Sequence, residues 1–361
     1  LKTKTIKVVS FLVAFMLVIS TALFSFGCKA ETAKTDTASE TTIAPTTTAA
    51  ETTASVTTEE DFAVQYPITI EDDKGQQEGF ENRKLVIKEE IKSVIAGENN
   101  FAICLKEFGK LDAVKGIAYW VPEAVPELAD SPQIITSGGL DLEALIDISP
   151  ELMVTISEPY WEPAIVKQVE DAGIMIYSIG IVKSLDHIKK YINDYGKMFD
   201  SMKIANMIIS EMEEKQKKVE EAVKNKGLKD EEKPKVIYCM SIASEYGDWV
   251  PGANTFVDQL ITDAGGINIP ASQGIDGWAE YSVEKLLESD PDVIIVPVGK
   301  NPGHGFKSIE EFTKHEAVQN LKAVKNGKVF AVTAEYVNNL SFTTADALIE
   351  FAQAILGVKI E

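Results

Sequence analysis

Residues 142–154 read LEALIDISPELMV, and residues 283–295 read VEKLLESDPDVII. Each stretch runs through a short amphipathic helix, a proline, an acidic residue and then an apolar strand. Glu143 matches Glu284, Leu145 matches Leu286 and Pro150 matches Pro291. Proline offers no N–H to the helix ladder and pushes its predecessor out of the helical region, so it parts helix from strand at the same point in both units. A helix that feeds a continuously apolar strand is the grammar of a parallel sheet covered on both faces. Its use twice, far apart in the chain, predicts two lobes built on one plan.

The neighbouring sequence extends both lobes. In the first, strands are expected at 91–95, 117–120, 134–136, 152–156 and 174–179, and helices at 99–108, 141–148 and 163–172. In the second, strands are expected at 235–240, 293–298 and 328–332. Helices are expected there at 256–264, closed by Gly265-Gly266, at 283–288, from 309, and at 344–356 with Gly357 at the stop. Alternation of strand and helix implies parallel pairing with crossovers.

Between the lobes the pattern is purely helical. Ile188, Tyr191, Ile192 and Tyr195 share one side of a helix at 186–195, with a break expected near Gly196. Ser201 then opens a longer helix to 225, on which Ile204, Met207, Ile208, Met212, Val219 and Val223 recur at helical spacing. A helix of ~25 residues spans ~37 Å, enough for a rigid strut between two domains.

The chain has 361 residues, 56 acidic against 35 basic, for a formal charge of −21. Such a surface has no general attraction for nucleic acid or anionic lipid. Arg83 is the sole arginine, so a bidentate arginine clamp on an anion is nearly unavailable. Cys28, Cys104 and Cys239 are too few for a disulfide scaffold, and Cys104 and Cys239 read as small buried hydrophobes.

The first sixty residues differ from the rest. Lys2, Lys4 and Lys7 precede an almost uncharged apolar run ending at Gly27-Cys28. This resembles a lipoprotein signal peptide, in which Cys28 would become the first mature residue and carry the lipid; Ser25 stands where leucine is usual. A retained transmembrane helix is the competing reading. Either places the remainder outside the cytoplasm. Residues 29–61, rich in Thr, Ala and Glu, bury too little to fold and read as a tether. The expected domains are thus 1–28 signal, 29–61 tether, 62–185 N-terminal lobe, 186–228 helical connection and 229–361 C-terminal lobe.

Residues 83–361 resemble the metal-chelate class of periplasmic-type substrate-binding proteins, which serve ABC importers of ferric siderophores, haem and cobalamin. The resemblance is carried by YSVEKLLESDPDVIIV at 281–296, AVKNGKVFAV at 323–332, the helix at 256–264 with its double glycine and Asn268, IKSVIA at 91–96, and DLEALIDISPELMV at 141–154. It implies two Rossmann-like α/β lobes joined by a single long helix, with the solute in a shallow cleft between them. It also implies a monomer without a cofactor that docks on a permease dimer with its cytoplasmic ATPase. Acidic residues on each lobe would meet the permease; Glu123 and Asp258 are the candidates. One departure stands in the first lobe, where Gly97-Glu98-Asn99-Asn100 replaces a small-residue segment such as Ser-Pro-Ser, and Ile103 lies where glutamate is common.

Loops beyond strand ends form ligand sites in open parallel sheets. Here they are aromatic: Tyr119 and Trp120, Tyr160 and Trp161, Tyr246 and Trp249, Trp278 with Tyr281 nearby, and Tyr336. Rigid rings give broad contact at modest entropic cost. They suit a large, flat solute, and the lack of arginine argues against a highly anionic one; by comparison with that family, a corrinoid fits best, with a neutral iron chelate also compatible. Haem and a molybdate-type oxyanion are the alternatives. His304, in a glycine-rich loop, is a candidate contact to a bound metal chelate; no His/Cys/Asp spacing suggests a metal held by the protein alone. The sequence lacks GxSxG, HExxH and nucleotide-binding glycine loops, and nothing pairs Asp141, Glu158, Asp248 and Asp276 with one another, so an enzyme is not the expected function; a cell-surface scaffold on the same stalk is a further, less favoured reading.

Overall fold

A computed structural model describes residues 62–76, 80–156, 158–245, 247–300 and 305–361. The signal and tether readings, with Cys28, Tyr246 and His304, lie outside the described residues. Residues 62–361 form one compact unit.

Most apolar runs form strands, although the first starts later than expected, at Val94, and the second runs 114–118 rather than 117–120. The first lobe holds β3 (Val94–Ala96), β4 (Val114–Ala118), β5 (Gln133–Thr136), β6 (Gly139–Leu140), β7 (Leu152–Thr155) and β8 (Met175–Ser178) in a sheet of order β6-β5-β4-β3-β7-β8, parallel except for the β5–β6 pair. The second holds β9 (Lys235–Tyr238), β11 (Ile267–Asn268), β13 (Val293–Val298) and β14 (Val329–Thr333) in an all-parallel sheet of order β11-β9-β13-β14. Two antiparallel ribbons were not anticipated: β1 (Ile68–Glu71) with β2 (Lys84–Ile87), and β10 (Trp249–Pro251) with β12 (Trp278–Glu280).

The helices that matter below are α1 (Asn99–Glu107), α2 (Val121–Ala124), α3 (Leu142–Ile148), α4 (Pro163–Asp171), α5 (Leu185–Met198), α6 (Met202–Lys226), α7 (Phe256–Asp263), α8 (Val283–Ser289), α9 (Ala334–Asn338) and α10 (Thr344–Leu356). The repeated unit is α3-β7 and α8-β13. Asp141 caps α3 by accepting from the Ala144 N–H, and Ser282 caps α8 by accepting from the Lys285 N–H. Each helix ends on a left-handed residue before its proline, Ser149 (φ 47°) and Asp290 (φ 36°). The acid after the proline has the same task in both lobes. Glu151 accepts from the Lys92 and Ser93 N–H groups at 2.6 and 2.8 Å, and Asp292 accepts from the Lys235 N–H at 2.8 Å. Each carboxylate thus holds the entry to the neighbouring central strand, β3 or β9. The echo in sequence is a shared way of registering two strands.

α6 is the predicted strut, 25 residues long, with Gly227 as its left-handed stop. Ala205, Ile208, Met212 and Val219 are its buried face; Met207, expected on that face, is 57% exposed. Gly196 does not break the preceding helix, which runs on to Met198. A Cβ on Gly196 would lie 2.6 Å from that of Ala205, so the glycine serves the close approach of α5 to α6. Lys215 on α6 pairs with Asp346 on α10 at 2.5 Å.

Strand periodicity then decides the cores. Alternate side chains point to opposite faces. Val94 and Ala96, Val236 and Tyr238, Val293 and Ile295 face a shared apolar cluster that also takes in α5, the buried face of α6, α7 and α10. Ile95, Met153 and Ile176 face a private cluster in the first lobe, and Ile237, Ile294 and Val296 one in the second. The lobes are therefore not two cores strung on a helix: α6 belongs to the packing of both.

Candidate solute-binding cleft

The carboxyl ends of β3, β4 and β7 lead into Gly97, Tyr119 and Ile156 with residues 158–162. Gly97 donates to the Val154 carbonyl at 2.9 Å, and a Cβ there would lie 2.4 Å from that oxygen, so only glycine lets the two strand ends approach. The Ile156 N–H donates to Glu98 Oε1 at 3.0 Å, joining the loops after β3 and β7. Across the molecule, Asn99 Nδ2 donates to Asn339 Oδ1 at 3.2 Å. Asn99 opens α1 just beyond β3, and Asn339 closes α9 just beyond β14, so strand-end loops of the two sheets meet at this bond.

Glu98 was not among the predicted site residues. Burial pushes its carboxyl up to about 8, offset only in part by the Ile156 N–H. The residue is half-buried, so the group is crowded by protein without being sealed from solvent. A glutamate one residue past a buried strand-and-glycine was the available signal for it.

The predicted aromatic residues are distributed as follows. Tyr119 and Trp120 are half-buried, with ring centroids 4.9 Å apart, edge-on; Trp120 leads into α2 and packs on the shared core. Tyr160 is 49% exposed, while Trp161 packs against both the shared and the first-lobe core. Trp249 and Trp278 are not on loops. They sit on the β10–β12 ribbon, where Pro251 pairs with Trp278 and Trp249 with Glu280. Trp249 lines a small depression with Cys239, Ser241, Ile242 and Asp248, and Trp278 is 38% exposed. Tyr281 is buried and donates to Gln273 Oε1 at 2.9 Å, a core residue rather than a cleft one. Tyr336 is half-buried on α9 against the shared core.

The four carboxylates that looked partnerless in sequence all have partners. Asp141 caps α3, and Asp276 accepts from Asn254 Nδ2 at 2.8 Å. Asp248 accepts from Ser241 Oγ and from the Ala243 and Ser244 N–H groups, which folds the loop after β9. Glu158 pairs with Lys74 and Arg83. His187 and His315 each accept a nearby backbone N–H on Nδ1. Among the described residues no group of three His, Cys, Asp or Glu side chains could hold a metal ion. Burial pushes the Cys239 thiol up to about 12, leaving it a packing group. Glu123 is exposed on α2; Asp258 is half-buried at the start of α7 and accepts from Asn268 Nδ2 at 2.9 Å.

A family profile described as periplasmic binding protein matches residues 100–336. The chain belongs to the periplasmic binding protein family. This binding protein is 23% identical over 291 residues to the uncharacterized ABC transporter substrate-binding lipoprotein YvrC of Bacillus subtilis, covering 80% of this chain and 86% of that one. It is 26% identical over 208 residues to the high-affinity heme uptake system protein IsdE of Staphylococcus aureus, covering 56% of this chain and 66% of IsdE. Its fold superposes on the periplasmic heme-binding protein RhuT from Roseiflexus sp. RS-1 in apo form with a TM-score of 0.59 at 19% identity, covering 73% of this chain and 99% of RhuT. The two-lobed α/β fold with one long connecting helix is that of the family, and the protein is a solute binder rather than an enzyme.

Proposed function

We propose that this binding protein captures an iron-bearing chelate, haem foremost, in the gap bounded by the strand-end loops, and passes it to an ABC importer outside the cytoplasm. The observation that carries the reading is the Asn99–Asn339 bond, which brings the loop ends of the two parallel sheets against each other in a member of a solute-binding family. The half-exposed rings of Tyr119, Trp120, Tyr160, Trp161, Trp249, Trp278 and Tyr336, with Tyr246 and His304, are the proposed contacts. The sole arginine is committed to Glu158, so an anionic solute would rely on hydroxyls, lysines and backbone N–H groups. The corrinoid that the family resemblance favoured for an aromatic, arginine-poor cleft has less support than haem, because the name of IsdE specifies heme and no corrinoid binder is among the relatives described above.

Lipid on Cys28 is the proposed anchor, in line with the lipoprotein name of YvrC. The partner is a permease dimer with its ATPase, met by a monomeric binding protein through Glu123 and Asp258. No helix among the described residues is long and apolar enough to cross a membrane.

Titration of the protein with haemin, cobalamin and several ferric siderophores, read by tryptophan fluorescence and visible absorption, tests the cargo. Saturable quenching by haemin with a shifted absorption band is expected. Saturation by cobalamin alone would overturn the haem assignment, and silence across the panel would overturn the chelate reading.

A further inference from the structure

From the β1–β2 hairpin, the chain's single arginine reaches the segment after β7 that carries Tyr160 and Trp161. Arg83 immediately precedes β2. Its Nη2 lies 2.5 Å from Glu158 Oε1, and its Nη1 donates to the Ile176 carbonyl at 3.2 Å. Lys74, on the turn between β1 and β2, brings Nζ to the same Glu158 oxygen at 2.7 Å. The Glu158 side chain is 0% exposed. The turn is itself fixed to the sheet: buried Asp72 accepts from the Arg83 N–H at 2.6 Å, and the Asp73 N–H donates to the Ser178 carbonyl at the end of β8.

Glu158 belongs to the segment after β7 that carries Tyr160 and Trp161. A buried carboxylate is unfavourable unless cations and donors meet it. Here both cations come from the β1–β2 hairpin, which is remote in sequence. Well-packed apolar groups would stabilise such a site at least as well. What an ion pair adds is geometry: the guanidinium fork bonds Glu158 and the Ile176 carbonyl together, which sets where the loop sits relative to β8. A binding loop ordered before the solute arrives does not spend affinity on its own ordering.

We propose that Arg83 and Lys74 are positioning residues that act through Glu158 to hold the Tyr160–Trp161 loop in its solute-receiving conformation. The consequence for binding rests on the proposal that these rings meet the cargo; the clamp itself does not. The hairpin, which no sequence motif marked as functional, thereby becomes part of the cleft's support.

The test uses the full chain with Arg83→Gln, Arg83→Lys and Glu158→Gln. Amide hydrogen exchange over residues 156–162 is measured without any solute, with β13 and β14 as the internal reference, and haemin affinity is measured alongside. In Arg83→Gln the loop should exchange about tenfold faster while β13 and β14 keep their protection, and haemin affinity should fall about tenfold through loop ordering. Arg83→Lys, which keeps charge but loses the fork, should recover part of both effects. Glu158→Gln should resemble Arg83→Gln, and it keeps the test open if that variant does not fold. Unchanged loop exchange in folded variants overturns the proposal, whereas faster exchange with unaltered haemin affinity leaves the clamp standing and overturns its consequence for binding. If the wild-type chain binds no haemin, the cargo reading fails, and the solute-free exchange contrast still decides the clamp.

Discussion

Glu98→Gln should make the protein more stable at neutral and alkaline pH, although it removes an ionisable residue beside the proposed cleft. In the unfolded chain the carboxyl ionises at its ordinary 4.5, whereas in the folded protein burial holds the proton until about pH 8. Between those values the folded state binds more proton than the unfolded one, so this group's effect on stability becomes steadily worse as pH rises and levels off above 8. At roughly a kcal/mol or more per pH unit the ceiling is about 3 kcal/mol at pH 7 and about 5 kcal/mol above pH 8. Glu98 is half-buried and retains some solvent, so about half of that is expected. Glutamine keeps an oxygen to accept from the Ile156 N–H but cannot ionise. Tyr195, an ionisable neighbour, is raised by its own burial and stays neutral through this range. Chemical unfolding of both proteins at pH 5, 7 and 9 is the assay. The variant's advantage should be under ~1 kcal/mol at pH 5 and grow to ~2–3 kcal/mol at pH 9. Taking the difference between the two proteins cancels every other titrating group. An offset that stays flat from pH 5 to 9 would show that Glu98 ionises normally and would refute the description of its surroundings.

Glu151→Gln and Asp292→Asn each weaken the acceptor that fixes the entry of a central strand, and each should cost about 1–2 kcal/mol in denaturant unfolding. The two sites lie in different lobes, so the double variant should show additive losses. Gly196→Ala should destabilise by about 1–3 kcal/mol, because its Cβ would press α5 away from α6 at Ala205; a neutral result in thermal unfolding would mean that the helices can separate freely. Cys28→Ala should abolish metabolic lipid labelling and release the protein from membranes, and labelling that persists would contradict the anchor.

The sequence determined the repeating grammar. Helix, proline, acid and apolar strand are local facts, governed by proline's missing N–H and by burial on both faces of a sheet. The long helix 202–226 was legible for the same reason, since apolar residues at helical spacing need no distant partner to be recognised. Aromatic residues near strand ends could also be read, but not their surroundings: Tyr281 turned inward, and Trp249 and Trp278 became strand residues, because short ribbons are decided by cross-strand pairing. Only the tertiary structure merged the two lobes' inner faces around α6, recast Gly196 from a break to a point of contact, and brought Asn99 to Asn339. It alone buried Glu158 beneath Arg83 and Lys74 and crowded Glu98 enough to hold its proton. Those outcomes depend on which remote groups come within a few ångströms of one another and on how much water they exclude, and neither quantity is written in any local stretch of the chain.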